Sequence, residues 1–235
     1  GDVTISAGTV DAADIIAIDA KKGGGALSGA AITKLTGSAA DVVAALADLT
    51  VDPTGSSVTI SASDTTTADI ATLEANGGIT TIDGSAITKL TGTAAQIVQA
   101  YTDLDGADPG TIPVVVTTAP TAAELKAVNL LTSGGITLNV TNGALDDNAD
   151  VLVAAFLGTV TEHTGTVKIK DAPDVAELKA INAATTGAIT LVDATGPLSG
   201  SAADIKAALS GTITAHTGDV TISAGTVDAA DIIAI

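Results

Sequence analysis

The first 18 residues, GDVTISAGTVDAADIIAI from Gly1 to Ile18, recur unchanged from Gly218 to Ile235, which sets a period of 217 residues. Identity at this level exceeds what a shared fold requires. Residues 1–217 therefore read as one long repeat and residues 218–235 as the start of the next, identical one. A unit that joins to a copy of itself is tightly constrained, because its last surface has to accept its first.

A shorter period lies inside the long one. Gly1, Gly55, Gly110, Gly165 and Gly218 each precede a new apolar run at intervals of 54, 55, 55 and 53 residues, giving four modules, 1–54, 55–109, 110–164 and 165–217. Each module splits into a short and a long half, and each half reads as one β-strand followed by one helix. The short halves open at Val3, Val58, Val114 and Val167; the long halves open near Ala26 and at Ile79, Ile136 and Ile189. Helix starts carry a small polar N-cap followed three residues later by an acid or amide, the capping-box pattern. In the short halves these are Asp11 with Asp14, Thr66 with Asp69, Thr121 with Glu124 and Asp174 with Glu177. In the long halves they are Ser38 with Asp41, Thr93 with Gln96, Asp147 with Asp150 and Ser201 with Asp204. Gly23, Gly77, Gly134 and Gly187 are expected to end the short-half helices in the left-handed conformation.

Strand-helix-strand repetition implies parallel strands joined by crossovers, so the expected fold is α/β, an elongated solenoid of strand-helix repeats with a parallel β-sheet. Strands sit about 4.8 Å apart and packed helices roughly 10 Å apart. Either the sheet curves, as in leucine-rich repeats, or helices take alternate faces. Both arrangements stay open at the level of sequence.

Composition excludes several functions. Nine lysines against 27 acids give a net charge of −18, which repels phosphate backbones and anionic lipid, so nucleic acid is not an expected partner. The longest uncharged run, Ala127 to Leu145, is broken by Asn129, Gly134, Gly135, Asn139, Asn142 and Gly143, and no membrane insertion is expected. Cysteine is absent, which removes thiolate chemistry and disulfides. With neither an initiator Met nor a signal peptide, the chain reads as a mature form, a fragment or a window onto something longer.

Residues with chemical potential mostly fall into the repeat. His163 and His216 occupy equivalent turns, GTVTEHTGTV and GTITAHTGDV, and a catalytic histidine is seldom duplicated in this way. The clusters Asp103, Asp105, Asp108 and Asp146, Asp147, Asp150 have the chemistry for calcium but follow no calcium-loop motif. Asn139-Val140-Thr141 matches a glycosylation sequon inside an expected strand, where it reads as accidental. Phe156 and Tyr101 are expected to fill the core from long-half helices. Thr4, Thr59, Thr80, Thr137 and Thr190 are expected to line one sheet face in register, as a solvated surface, a packing surface for another copy, or a water-ordering array. No catalytic, cofactor-binding or metal-ligating residue is assigned, and no cofactor is expected.

The strings ITKLTGSAADVVAALADL (Ile32 to Leu49), ITKLTGTAAQIVQAYTDL (Ile87 to Leu104) and VTISAGTVDAADIIAIDA (Val3 to Ala20) resemble the tandem-repeat regions of giant bacterial extracellular cell-surface proteins. The resemblance extends to the marine cyanobacterial type, including the swimming-associated surface protein of Synechococcus. The resemblance implies export, an extracellular, cell-surface or filament location, and a structural or adhesive role. The calcium-binding nonapeptides of some relatives are missing.

The expected function is a structural repeat segment of an extracellular filament, fibre or surface-layer protein, not an enzyme, with further copies of the same repeat as partners. The alternative is the stalk of a cell-surface adhesin, or a calcium- or ice-binding surface module. An enzyme of the parallel β-helix sort is disfavoured, because no unit breaks the pattern with a cluster of unique polar residues. The Val3 strand has an open edge that a preceding repeat is expected to cover.

Overall fold

The computed structural model describes residues 1–105 and 109–223. Asp108 of the first acidic cluster and the second-copy helix expected from Asp228 lie outside the described residues. The chain forms two compact units, Gly1–Val115 and Val116–Ile235. Both are α/β with parallel strands, and the described residues contain eight α-helices.

In the first unit the chain runs β1 (Val3–Thr4), β2 (Gly8–Asp11), α1 (Ala12–Lys22), β3 (Leu27–Ser28), β4 (Ile32–Gly37) and α2 (Ala39–Asp48). It continues through β5 (Ser56–Ile60), β6 (Asp64–Thr66), α3 (Thr67–Glu74), β7 (Ile79–Asp83), β8 (Lys89–Gly92) and α4 (Ala94–Asp103). After β9 (Val114–Val116), the second unit contains α5 (Ala122–Leu131), β10 (Ile136–Leu138), β11 (Leu145–Asp147), α6 (Ala149–Ala155) and β12 (Val167–Ile169). It closes with α7 (Val175–Ala184), β13 (Ile189–Leu191), β14 (Leu198–Gly200), α8 (Ala202–Ala208) and β15 (Val220–Ile222).

Every strand expected from the half-modules is present, but most helices are also preceded by a second strand. A short corner, such as Ile5–Ala7 before β2 or Gly29–Ala31 before β4, bends the chain between the two. The expected single sheet is consequently divided. The first unit holds the pair β1-β3 and the sheet β2-β4-β5-β7, and the second holds β11-β12-β13 and β14-β15.

Pairing is parallel at a nearly constant offset. Val10 stands beside Leu35, Leu35 beside Val58 and Val58 beside Ile82 in the first unit. In the second, Leu145 stands beside Val167 and Val167 beside Ile189, 22 residues apart each time. These inward-facing positions form the core: Leu35, Val58, Ile82 and Val167 are completely buried. Consecutive helices touch, α1 to α2 to α3 to α4 in one unit and α5 to α6 to α7 to α8 in the other. The helices of each unit thus lie in a single layer, which decides against alternate faces.

Helix starts follow side-chain chemistry closely. Thr93, Thr121 and Asp174 make reciprocal capping boxes with Gln96, Glu124 and Glu177. Ser38, Thr66 and Ser201 accept from the amides of Asp41, Asp69 and Asp204, while their hydroxyls donate to those same carboxylates at 2.7 Å. Aspartate is one methylene shorter than glutamate, so it takes the cap hydroxyl alone, whereas Gln96, Glu124 and Glu177 reach the cap amide and Glu124 accepts from the Thr121 hydroxyl as well. Asp11 accepts one residue earlier than expected, from Ala13.

One expected cap is displaced. Asp147 is the last residue of β11 and accepts from the amide of Asn148, which is itself the N-cap and makes no side-chain cap bond. The first helical amide, Ala149, donates instead to Asp171, a residue of the next turn of chain, at 2.8 Å. The expected glycine stops also differ, since among them only Gly23 has a positive φ, 71°. Thr132 and Thr185 end α5 and α7 in extended conformation, and their hydroxyls accept from the amides of Gly134 and Gly187. Threonine side-chain turns replace the left-handed stop there.

Helices of seven to eleven residues are marginal alone, so their caps carry a large share of local stability. Asp171→Ala is expected to lower stability by about 1 kcal/mol through α6. Asp147→Ala is expected to stay within about 0.5 kcal/mol of the parent. Urea denaturation of both variants checks the order, and the reverse order would return the cap to Asp147.

Candidate functional site

The most chemically loaded place in the second unit is the corner at His163. His163 is 2% exposed. Its Nε2–H donates to the carbonyl of Gly143 at 2.6 Å, and Nδ1 lies 3.1 Å from the Thr185 hydroxyl oxygen. That hydroxyl also donates to the His163 carbonyl at 2.9 Å and accepts from the Gly187 amide at 3.0 Å. His163 thereby ties together segments of chain around residues 143, 163 and 185, and it bridges in parallel to Thr185 through the backbone.

The carbonyl acceptor at Gly143 sets the tautomer with the proton on Nε2. In the neutral ring the single hydroxyl proton of Thr185 serves either Nδ1 or the His163 carbonyl. In the protonated ring Nδ1–H donates to the hydroxyl oxygen and both needs are met. Burial opposes the charge and outweighs the help from the Gly143 carbonyl, so the His163 pKa lies below its ordinary value. His216 repeats the contact 53 residues on, its Nε2–H donating to the Gly196 carbonyl at 2.7 Å, and is half-buried. Phe156 does not fill the core from mid-helix: it is the C-cap of α6, half-buried, with its ring 5.8 Å from that of His163. Tyr101 is buried in α4 and its hydroxyl donates to the Ile112 carbonyl.

The acidic clusters are spread among other tasks. Asp105 accepts from the Ile82 amide at 3.1 Å, while Asp103 accepts from Gln99. Asp146 faces Lys170 at 3.4 Å and Lys168 at 4.0 Å. Among the described residues no three His, Asp or Glu side chains gather to hold a metal ion.

The five threonines do not form an array in register. Thr4 lies in the β1-β3 pair and Thr59 in β5, while Thr137 and Thr190 belong to β10 and β13. Thr80 falls at the register shift between β5 and β7, where its hydroxyl donates to the Ser56 carbonyl. What stands in register with Thr190 is Lys168 and then Asp146. Asn139 sits just past β10 and is exposed, rather than inside a strand.

A groove of about 570 Å³ runs along α7 and α8, lined by Asp174, Val175, Lys179, Ala183, Gly200 and Asp204. Lys179 and Asp204 close on each other at 2.5 Å. Lys179 and the Ser201 hydroxyl hold the Asp204 carboxyl below its usual range. Asp174 thus caps α7, and Lys179 and Asp204 satisfy one another.

Sequence reasoning missed a second set of ties. Asn129 on α5 donates to the carbonyls of Ala155 and Leu157 at the end of α6, and Asn182 on α7 donates to Ala207 and Ser210 at the end of α8. The tight turns they brace need the left-handed glycines Gly158 and Gly211, at φ of 71° and 75°. The signal was present in the matched strings AELKAVN and AELKAIN, 53 residues apart. Thr50, Thr161 and Thr214 play a related role, each hydroxyl donating to the carbonyl of a strand residue, Leu27, Ile136 or Ile189.

No family model, curated protein or solved structure matches the chain.

The buried histidine has a consequence for pH. An unfolded histidine titrates near 6.5, and the folded one titrates lower. Between the two values the unfolded chain holds more protons, so stability falls as pH drops below 6.5 and levels off beneath the folded value. His163→Gln is expected to flatten this part of the profile. Denaturant midpoints between roughly pH 5 and pH 8 measure it, and a slope unchanged in the variant would contradict the assignment.

Proposed function

We propose that this chain is a structural repeat segment of an extracellular filament, fibre or surface-layer protein, without enzymatic activity, in which successive 217-residue copies continue one elongated solenoid. The observation that carries this reading is the place taken by the second copy. Its first strand, β15, pairs in parallel with β14 of the first copy, Leu198 beside Val220. The offset of 22 residues is that by which Leu145 meets Val167 and Val167 meets Ile189. This equal offset supports a new copy that begins as one more turn of the same winding.

The chemistry agrees. Many side chains with acid-base capacity are occupied in caps, straps and ion pairs, and the caps recur from module to module. Small residues and a surplus of carboxylates suit a thin, well-solvated rod that stays apart from its neighbours. An adhesin stalk would share this rod and differ in what flanks it.

Eight strand-helix turns per period at about 4.8 Å each place successive copies at most roughly 38 Å apart along the axis, less if the winding coils. Electron microscopy with helical reconstruction of material carrying many copies is expected to show filaments with that spacing. Compact particles, or a longer spacing, would overturn the reading. So would hydrolysis or eliminative cleavage of polysaccharide that is lost on changing His163 or His216.

A further inference from the structure

The same strand sequence appears twice in this structure, in two different environments. At the first copy, the amides of Val3 and Ile5 donate to the carbonyls of Ala26 and Ser28, on the side of the following turn. At the second copy, the carbonyl of Asp219 accepts from Leu198 and the amide of Ser223 donates to Gly200, on the side of the preceding turn. Asp219 and Ser223 are the second-copy counterparts of Asp2 and Ser6. In a parallel ladder alternate residues address opposite edges. One copy thus shows the odd-numbered edge of the strand occupied and the other shows the even-numbered edge occupied, with no group used twice.

We infer that the β1 edge formed by Asp2, Thr4 and Ser6 is the docking surface for Leu198–Gly200 of a preceding copy of this repeat. The register sets Leu198 beside Val3, Ser199 beside Thr4 and Gly200 beside Ile5. This inference rests on the tandem reading above and specifies its joint.

Two further observations support the joint. Gly1 has open space where a side chain would stand, so nothing around it accounts for a glycine. Its counterpart Gly218 is pressed on the preceding turn, and a methyl there would overlap the carbonyl oxygen of Thr195. The glycine is required only where a preceding turn is present. Burial follows the same pattern. Val58, Ile60, Val167 and Ile169, flanked by turns on both sides, are 0% exposed, whereas Val220 is 39% exposed and Val3 only half-buried. Covering both edges brings this valine to the burial of its equivalents.

The test uses hydrogen exchange by NMR on the 235-residue chain and on a chain carrying two copies in tandem, residues 1–217 followed by 1–235. In the tandem chain the amides of the internal strand equivalent to Val220 and Ile222 are expected to exchange about tenfold or more slowly than in the single chain. Those equivalent to Thr221 and Ser223 remain protected in both. In the single chain Gly218→Ala is expected to remove protection from Thr221 and Ser223, while Gly1→Ala leaves the β1-β3 pair unchanged. Equal effects of the two alanines, or an internal strand exchanging as fast as in the single chain, would overturn the joint. A protected internal strand in a tandem chain that forms no elongated particle would support the joint and overturn the filament reading. Filaments with an unprotected internal strand would do the opposite.

Discussion

The structure depends on one interaction, the parallel backbone ladder that joins strands from successive strand-helix segments. Its strands are only two to six residues long, and each pairs with residues more than 20 positions away. Such pairing returns few hydrogen bonds for a long loop closed, so each strand-helix segment leans on its neighbours. Side-chain straps add to it. Thr50, Asp105, Thr161 and Thr214 bind the strand beside them through hydroxyl or carboxylate, and Asn129, Asn182 and His163 tie adjacent turns. Small residues let the turns approach: a side chain on Gly187 would overlap the carbonyl of Gly165 in the neighbouring turn.

The acidity of the chain belongs to the same architecture. Short helices need their first amides satisfied, and a carboxylate near the N-terminus meets both an orphan donor and the positive end of the dipole. Asp41, Asp69, Glu124, Glu177 and Asp204 all occupy this place. The Glu124 carboxyl is held below its usual range by the Thr121 backbone and hydroxyl, as a cap bond made to the charged form requires. A net charge of −18 is in good part the accumulation of such caps, which explains why clusters of acid in this sequence need not announce an ion.

Much of this was legible in advance wherever the cause lies within a few residues. Seven of the eight helix starts stand at the small polar residue expected, six of them through a bond with the residue three positions on. The strands of the half-modules follow from their β-branched runs. The exceptions share a reason, which is that the deciding partner comes from another turn. Asp171 caps α6 from 22 residues away, so Asn148 needs no cap of its own and the pattern at Asp147 misleads. Second strands such as β8 and β11 carry ordinary loop-like sequences, KLTG and LDD, and are strands because a neighbouring ladder holds them. Thr132 and Thr185 stop helices where glycine looked the natural choice, because their hydroxyls accept from the amides of Gly134 and Gly187 and hold the chain in a side-chain turn. Of the candidate site residues, the repeat correctly paired His163 with His216 as equivalent turns. It could not reveal that the Gly143 carbonyl and the Thr185 hydroxyl would meet the first of them.

In the filament proposed above, copies add along an axis, each continuing the ladder of the one before. Small-angle scattering from chains carrying one, two and three tandem copies tests it directly. A continuous ladder gives a maximum dimension that grows by equal increments of at most roughly 38 Å per copy at constant cross-section, as stacked strands require. A cross-section that widens with copy number, or a maximum dimension that rises only as the cube root of mass, would show copies folding against one another instead and would contradict the continuous ladder.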